Sequence, residues 1–179
     1  MPTSAANTKF SWFITGCSTG LGRALAQRVL RRGHRCVVTA RNADHIADIV
    51  APFPASALAV ALDVKDDRQR RDAVARAVDR FGGVDVLVNN AGHGYSAAVE
   101  EGEDAAIREM FDTNFFALAA MTRVVLPEMR ARGQGHIINI SSVGGLVGSP
   151  ASGYYNAPNS RSKVCRKRLR RRSHRWEFG

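Results

Sequence analysis

The chain has 179 residues, 45% of them hydrophobic, and a net charge of +10; it is long and apolar enough for one buried core, too short for two full domains and too apolar for a disordered chain. The longest apolar runs, Ser11 to Thr15 and Leu58 to Leu62, fall far short of the roughly 20 residues that cross a bilayer, so a soluble protein is expected. The charge is uneven: residues 159–179 carry nine Lys/Arg against one Glu, leaving only +2 for residues 1–158, so a basic nucleic-acid-binding domain is not indicated for the globular part.

Apolar runs of strand length alternate with longer segments of helical period, the pattern of a parallel sheet with crossover helices. The first strand, Phe10 to Thr15, runs into TGCSTGLG and a helix beginning near Gly20. There Gly16 permits a tight turn, Gly20 lets backbone approach a pyrophosphate, and Gly22 allows helix to pack on strand. Further strands are expected at Arg35 to Ala40 and Ala57 to Leu62. The next helix should bury Val74, Ala77, Val78 and Phe81 and turn Arg70, Arg71 and Arg76 outward. A fourth strand, Val84 to Asn89, precedes a long helix within Glu103 to Met129. In that helix Ile107, Met110, Phe111, Asn114, Phe115, Leu118, Met121, Thr122 and Val125 form one stripe, with Pro127 near the end. The fifth strand is His136 to Ser141, expected to be an edge that exposes Ile137, Ile138 and Ile140. Right-handed crossovers make this an α/β doubly wound parallel sheet, a Rossmann fold, truncated after the fifth strand and binding its ligand at the carboxyl ends of the strands.

Five signals stand in order along this frame: TGxxxGxG at Thr15 to Gly22, Leu62-Asp63-Val64 after the third strand, Asn89-Asn90-Ala91-Gly92 after the fourth, Asn114 on the long helix, and Ser142 thirteen residues before Tyr155. Read singly, each has a plain alternative: Asp63 as a helix cap, NNAG as a turn, Tyr155 as a half-buried phenol. Together, from about residue 10 to residue 157, they resemble the short-chain dehydrogenase/reductase family. The resemblance implies an oxidoreductase transferring a hydride between a nicotinamide cofactor and a carbonyl or alcohol substrate. It implies Ser142 and Tyr155 as catalytic residues, with Asn114 holding a water in the proton relay. It also implies a cofactor-binding set of Gly16, Ser18, Thr19, Gly20, Leu21, Gly22, Arg41, Asp63, Val64, Asn90, Ala91 and Gly92, in which Asp63 bonds the adenine amino group. His93, Gly94, Tyr95 and the segment Val143 to Val147 would line part of a substrate pocket.

Cofactor choice is argued from the end of the second strand. A cleft selecting NAD places a carboxylate there to accept bonds from the ribose hydroxyls; here stand Ala40 and Arg41. A guanidinium pairs bidentately with phosphate, and no neighbouring acid opposes it, so NADP(H) is favoured over NAD(H).

The family pattern breaks at one place. A phenol with a free pKa near about 10 is a poor base at neutral pH, and a lysine four residues on would lower it. That position is Asn159, which brings no charge, and Lys163 lies eight residues from Tyr155, about 12 Å along a helix. Pro158 is expected to disturb the helix as well. A single base lost from a threonine codon at position 158 accounts for this. Codons permitted by the tail, read one base out of register, spell Thr-Lys-Phe-Ala-Val-Glu-Gly-Leu-Ser-Glu-Ala-Leu-Ala-Ala-Glu-Val-Thr-Pro-Leu-Gly-Ile-Arg, a helix with the lysine in place. The expectation is therefore an incomplete dehydrogenase domain over residues 1–158, and a frame-shifted, disordered basic tail over residues 159–179. Activity would be impaired.

Two other functions remain open: a noncatalytic NADP-binding protein, and nucleic-acid binding through RKRLRRR in the tail. Cys17, Cys36 and Cys165 form neither CxxC nor a metal-ligand spacing, so no metal is expected. Reduced thiols and a polar start (MPTSAANTK) suggest a cytoplasmic protein with no membrane partner. The partner expected is a small carbonyl or alcohol substrate, with a homo-oligomeric full-length parent.

Overall fold

The computed structural model describes residues 9–147 and 151–160; the basic segment 161–179, on which the tail expectations fall, lies outside the described residues. Five parallel strands form one sheet: β1 Ser11–Ile14, β2 Arg35–Ala40, β3 Ala57–Ala61, β4 Val86–Asn89 and β5 His136–Asn139, in the order β3-β2-β1-β4-β5. Each strand lies within the run read from the sequence, and β2 has the same limits. The others are shorter by one or two residues, although single backbone bonds between neighbours continue past them at Thr15, Leu62 and Ile140. The order reverses direction between β1 and β4, which opens a crevice at the carboxyl ends of those two strands.

Alternation along the strands divides the core into two layers. Phe13, Val37, Leu87 and Ile137 point to the face covered by α3 (Asp67–Phe81) and α5 (Leu118–Arg132), where Ala77, Met121 and Val125 are fully buried. Ile14, Val38 and Val88 point to the other face, under α1 (Gly20–Arg31) and the short α2 (Ala47–Val50), with Ala26, Leu30 and Ile49. Full burial of such a side chain contributes roughly 1.5–3 kcal/mol. The outer strand β5 buries Ile137 on the α3/α5 face, while Ile138 and Ile140 are only partly covered on the other.

Two local expectations are corrected, and the one for Pro127, near the end of the long helix, holds. Arg70, expected on the solvent face of α3, is 7% exposed and donates to the Val64 carbonyl at 2.6 Å and to Asp67 Oδ1 at 3.0 Å, whereas Val78 is 36% exposed. A guanidinium that caps a loop carbonyl is stabilised in a place where an unpaired charge would not be. Pro127 lies inside the helix, which continues to Arg132. The long helix is also not one regular α-helix: α4 (Asp104–Phe111) passes through a π-helical segment, Asp112–Ala117, into α5. Met110, Leu118, Met121, Thr122 and Val125 of the expected stripe are buried, whereas inside the π-helical segment Asn114 and Phe115 are only half-buried, Phe116 is exposed and Ala117 is buried.

Residues 153–160 form a further helix, α6, which runs through Pro158, and the boundary expected after residue 158 falls inside it. Among the described residues, no helix is long and apolar enough to cross a membrane.

Candidate functional site

The crevice between β1 and β4 is shaped by a small set of buried bonds. Thr15, 1% exposed, accepts at Oγ1 from the Asn90 and Ala91 amides, both at 2.9 Å. Asn90 returns the contact: its Nδ2 donates to the carbonyls of Thr15 and Gly16, each at 2.9 Å. The glycine loop after β1 and the turn after β4 are thus locked to each other.

The glycines fit this lock. Gly16 has φ +71°, and a Cβ there would stand 2.8 Å from the Ala91 Cα. A side chain at Gly22 would run into Asn90 Nδ2 and the Gly16 carbonyl, whereas at Gly20 nothing lies within 4 Å. Gly20, at the start of α1, therefore presents bare backbone to open space. The neighbouring Asn89 has a different duty, donating from Nδ2 to Asn139 Oδ1 at 2.9 Å and to Thr122 Oγ1 at 3.3 Å, which joins β4 to β5 and α5.

Beside this lock is a cavity of about 610 Å³. Gly16, Ser18, Thr19, Gly20 and Leu21 line it from the β1 loop, Ala40 and Arg41 from the end of β2, and Asp63 and Val64 from the loop after β3. Asn90, Ala91 and Gly92 line it from the turn after β4. The whole predicted cofactor set except Gly22 meets at this one cavity, and Gly22 packs behind the loop. Asp63 is fixed by its amide donating to Gln69 Oε1 at 2.8 Å and by Oδ1 accepting from the Lys65 amide at 2.9 Å.

Three lining residues were not found from the sequence: Lys65, Glu109 and Thr113. Lys65 Nζ stands 3.1 Å from Glu109 Oε1. The Glu109 carboxyl is held below the usual carboxylate range by the hydrogen bond and charge of Lys65, and further by the charges of His93 and Arg41. An acid therefore does stand in the field of Arg41, contrary to the local sequence reading. It arrives from α4, and only the fold brings it near.

The residues expected to be catalytic do not line this cavity. Asn114, in the π-helical segment, spends its side chain on His93: Oδ1 accepts from the His93 amide at 3.0 Å and Nδ2 donates to its carbonyl at 2.8 Å. Ser142 begins a single 3₁₀ turn, Val143–Gly145, and its Oγ accepts from the Gly144 amide at 3.2 Å. Tyr155 is half-buried in α6. Asn159, 9% exposed, donates from Nδ2 to the Tyr155 carbonyl at 2.9 Å, and its own carbonyl accepts from Ser141 Oγ at 3.3 Å. The Ser142 loop and α6 are thus joined through Ser141, Gly145 and Asn159, with no hydrogen bond between Ser142 and Tyr155 among the described residues. Val143, Leu146 and Val147 beside them are 64–76% exposed. Of the other residues expected near a substrate, Tyr95 accepts at its hydroxyl from the Glu103 amide at 2.8 Å, and its ring lies 6.3 Å from that of Tyr154.

A second cavity, of about 300 Å³, lies at the amino ends of the strands. Arg35 and Arg132 there donate to the carbonyls of Phe81 and Val84 at 3.1 and 2.7 Å. Those bonds satisfy chain ends, and this is the end of an open parallel sheet opposite to the one where ligands bind.

Comparison with known proteins agrees with this geometry. Residues 12–170 match the family described as short chain dehydrogenase. The chain is similar to an oxidoreductase of Botryotinia fuckeliana, 37% identical over 147 residues, which cover 82% of this chain and 54% of that protein. In structure it resembles a short-chain dehydrogenase from Streptomyces avermitilis, with a TM-score of 0.87 and 37% identity over 90% of this chain and 60% of the other. It also resembles a gluconate 5-dehydrogenase from Burkholderia cenocepacia solved with NADP and tartrate, with a TM-score of 0.86 and 28% identity over 94% of this chain and 68% of the other. The chain spans about half the length of the curated relatives it matches. The family match over most of the chain, the parallel five-stranded sheet and the glycine-lined crevice lead to one assignment: the chain belongs to the short-chain dehydrogenase family.

Proposed function

We propose that this chain is the NADP(H)-binding part of an oxidoreductase acting on a carbonyl or alcohol, in a form whose catalysis is impaired. The observation that carries the reading is the 610 Å³ cavity at the strand-order reversal, lined by the glycine loop and by Arg41. Its size falls within the usual range for small-molecule sites, about 300–1,000 Å³. Its donors suit a dinucleotide. Bare backbone at Gly20 and the amino end of α1 favour pyrophosphate, and Asp63 is placed for an adenine amino group. Arg41 suits a 2′-phosphate. The gluconate 5-dehydrogenase relative, solved with NADP, supports the same choice.

A nicotinamide, when bound, supplies hydride transfer. This chain's own residues would supply binding and the proton. Tyr155 would give or take that proton at its phenol oxygen, Ser142 would hold the substrate oxygen, and Asn114 would fix the His93 loop and the relay. With Asn159 where the family has lysine, no ammonium favours the phenolate, and the Asn159 amide is engaged with the Tyr155 carbonyl instead. General acid–base catalysis is typically worth about 10²- to 10⁴-fold, which is the scale of the expected loss.

The base deletion at codon 158 remains the explanation we favour for that loss, with residues 1–158 as the dehydrogenase domain and the following segment as its frame-shifted tail. Sequencing of the DNA across codons 155 to 165 tests it; an intact frame with no gap relative to related genes would refute it. A frame-restored version should turn over carbonyl substrates, and we place the protein in the cytoplasm with a homo-oligomeric parent. Titration of NADPH and NADH against the restored version tests cofactor choice: NADPH should bind more tightly, and Arg41→Ala should narrow the gap. Equal affinities would remove the basis for NADP. A purely noncatalytic NADP-binding role is the second reading, favoured by Asn159; it predicts that the chain as it stands folds and binds NADPH tightly without turnover, which titration of the chain with and without its tail tests.

A further inference from the structure

The Lys65–Glu109 pair is the part of the large cavity that neither the glycine loop nor the turn after β4 accounts for. Lys65 lies in the loop after β3 and Glu109 on α4, and their 3.1 Å contact joins two elements that line the cavity. β2 and β3 are neighbours, with Ala40 paired to Ala61. Arg41 and Lys65 consequently leave adjacent strand ends, and both line the cavity that Glu109 also lines.

We propose that Glu109, held by Lys65, sets how strongly this cleft prefers a dinucleotide carrying a 2′-phosphate over one without it. The inference rests on the cofactor reading above and assigns a specificity role to two residues outside the motifs. A phosphate drawn to Arg41 meets the Glu109 carboxylate in the same cavity, and like charges repel. Lys65, paired with Glu109, offsets that repulsion with its own positive charge. The charges of Arg41 and His93 also reach Glu109 and favour its ionised form. Because the side chains of Lys65 and Glu109 are 37% and 56% exposed, water screens the pair and its effects should be moderate and salt-dependent.

The test is equilibrium titration of the full chain with NADPH and NADH, followed by nicotinamide fluorescence, for the parent, E109Q, K65M and the double variant. E109Q should raise NADPH affinity about threefold and K65M should lower it about threefold, with the double variant within about twofold of the parent. NADH lacks the 2′-phosphate and serves as the internal control, expected to change less than about twofold. The contrast should shrink between about 50 mM and about 500 mM salt. An unchanged NADPH-to-NADH ratio in E109Q, or an equal shift of both ligands, would overturn the specificity role and leave the cofactor reading standing. A parent chain that binds neither dinucleotide would overturn the cofactor reading, and this inference with it.

Discussion

Around the glycine loop, shape is imposed largely by backbone. Thr15 and Asn90 bind main-chain groups, Gly16 and Gly22 are held by close neighbours, and the cavity walls follow from where β1, β2 and β4 end. Around Ser142 and α6 the chemistry rests on side chains placed by fewer contacts: one 3₁₀ turn, Ser141 Oγ on the Asn159 carbonyl, and Ser160 Oγ on the Gly145 carbonyl at 3.1 Å. A binding surface made of backbone tolerates change in most side chains that pass through it. A proposed catalytic set made of side chains would fail when a single charge is replaced.

The sharpest way to break the contrast is Gly16→Val. With φ +71° and the Ala91 Cα 2.8 Å from the added Cβ, the variant should lose about 3 kcal/mol or more of stability and its dinucleotide binding. Thermal melts and an NADPH titration check this, and normal binding would show that the loop is not set by backbone contact. Next in size, Thr15→Val removes the acceptor shared by the Asn90 and Ala91 amides and should cost about 2–3 kcal/mol in a denaturant melt. On the other side of the comparison, Asn159→Lys alone should raise turnover by less than about tenfold, because one charge does not rebuild a catalytic pocket. A larger gain in a steady-state assay would mean that the site lacks only that charge.

The smallest effect concerns the thiols. Burial pushes Cys17 up to about 12, offset in part by the Thr39 backbone hydrogen bond, and Cys36 is also pushed well up by burial. In the folded chain both should resist iodoacetamide near neutral pH and react only on unfolding, as peptide mapping would show. Their raised values also fix a sign. Stability is unaffected well below the ordinary thiol value of 9.0 and falls as pH rises through it, when only the unfolded chain ionises.

Much of the frame was readable because it depends on local pattern. Strand-length apolar runs named all five strands, and glycine spacing placed the loop between β1 and α1. What escaped depends on partners distant in sequence. Arg70 is buried because the Val64 carbonyl needs a donor, and Glu109 enters the cleft only because α4 crosses it. Neither leaves a periodic trace. Phe115, inside the π-helical segment, is only half-buried, although Met110, Leu118, Met121 and Val125 of the same stripe are buried. The residues proposed as catalytic were legible as a spacing, but their surroundings were not. Asn114 meets the His93 backbone, and Ser142 binds its own turn.

That π-helical segment, Asp112–Ala117, divides the long helix into two modules with separate angular settings. In a uniform helix, inserting or deleting one residue turns everything beyond it by about 100°. Here the extra residue is already absorbed between the part that faces the cavity, with Glu109 and Thr113, and the part that packs on the sheet, with Met121 and Val125. Substitutions that retune the cleft wall on α4 are thereby insulated from the sheet-packing core, which makes α4 a natural handle for altering what the cleft holds without re-engineering what keeps it folded.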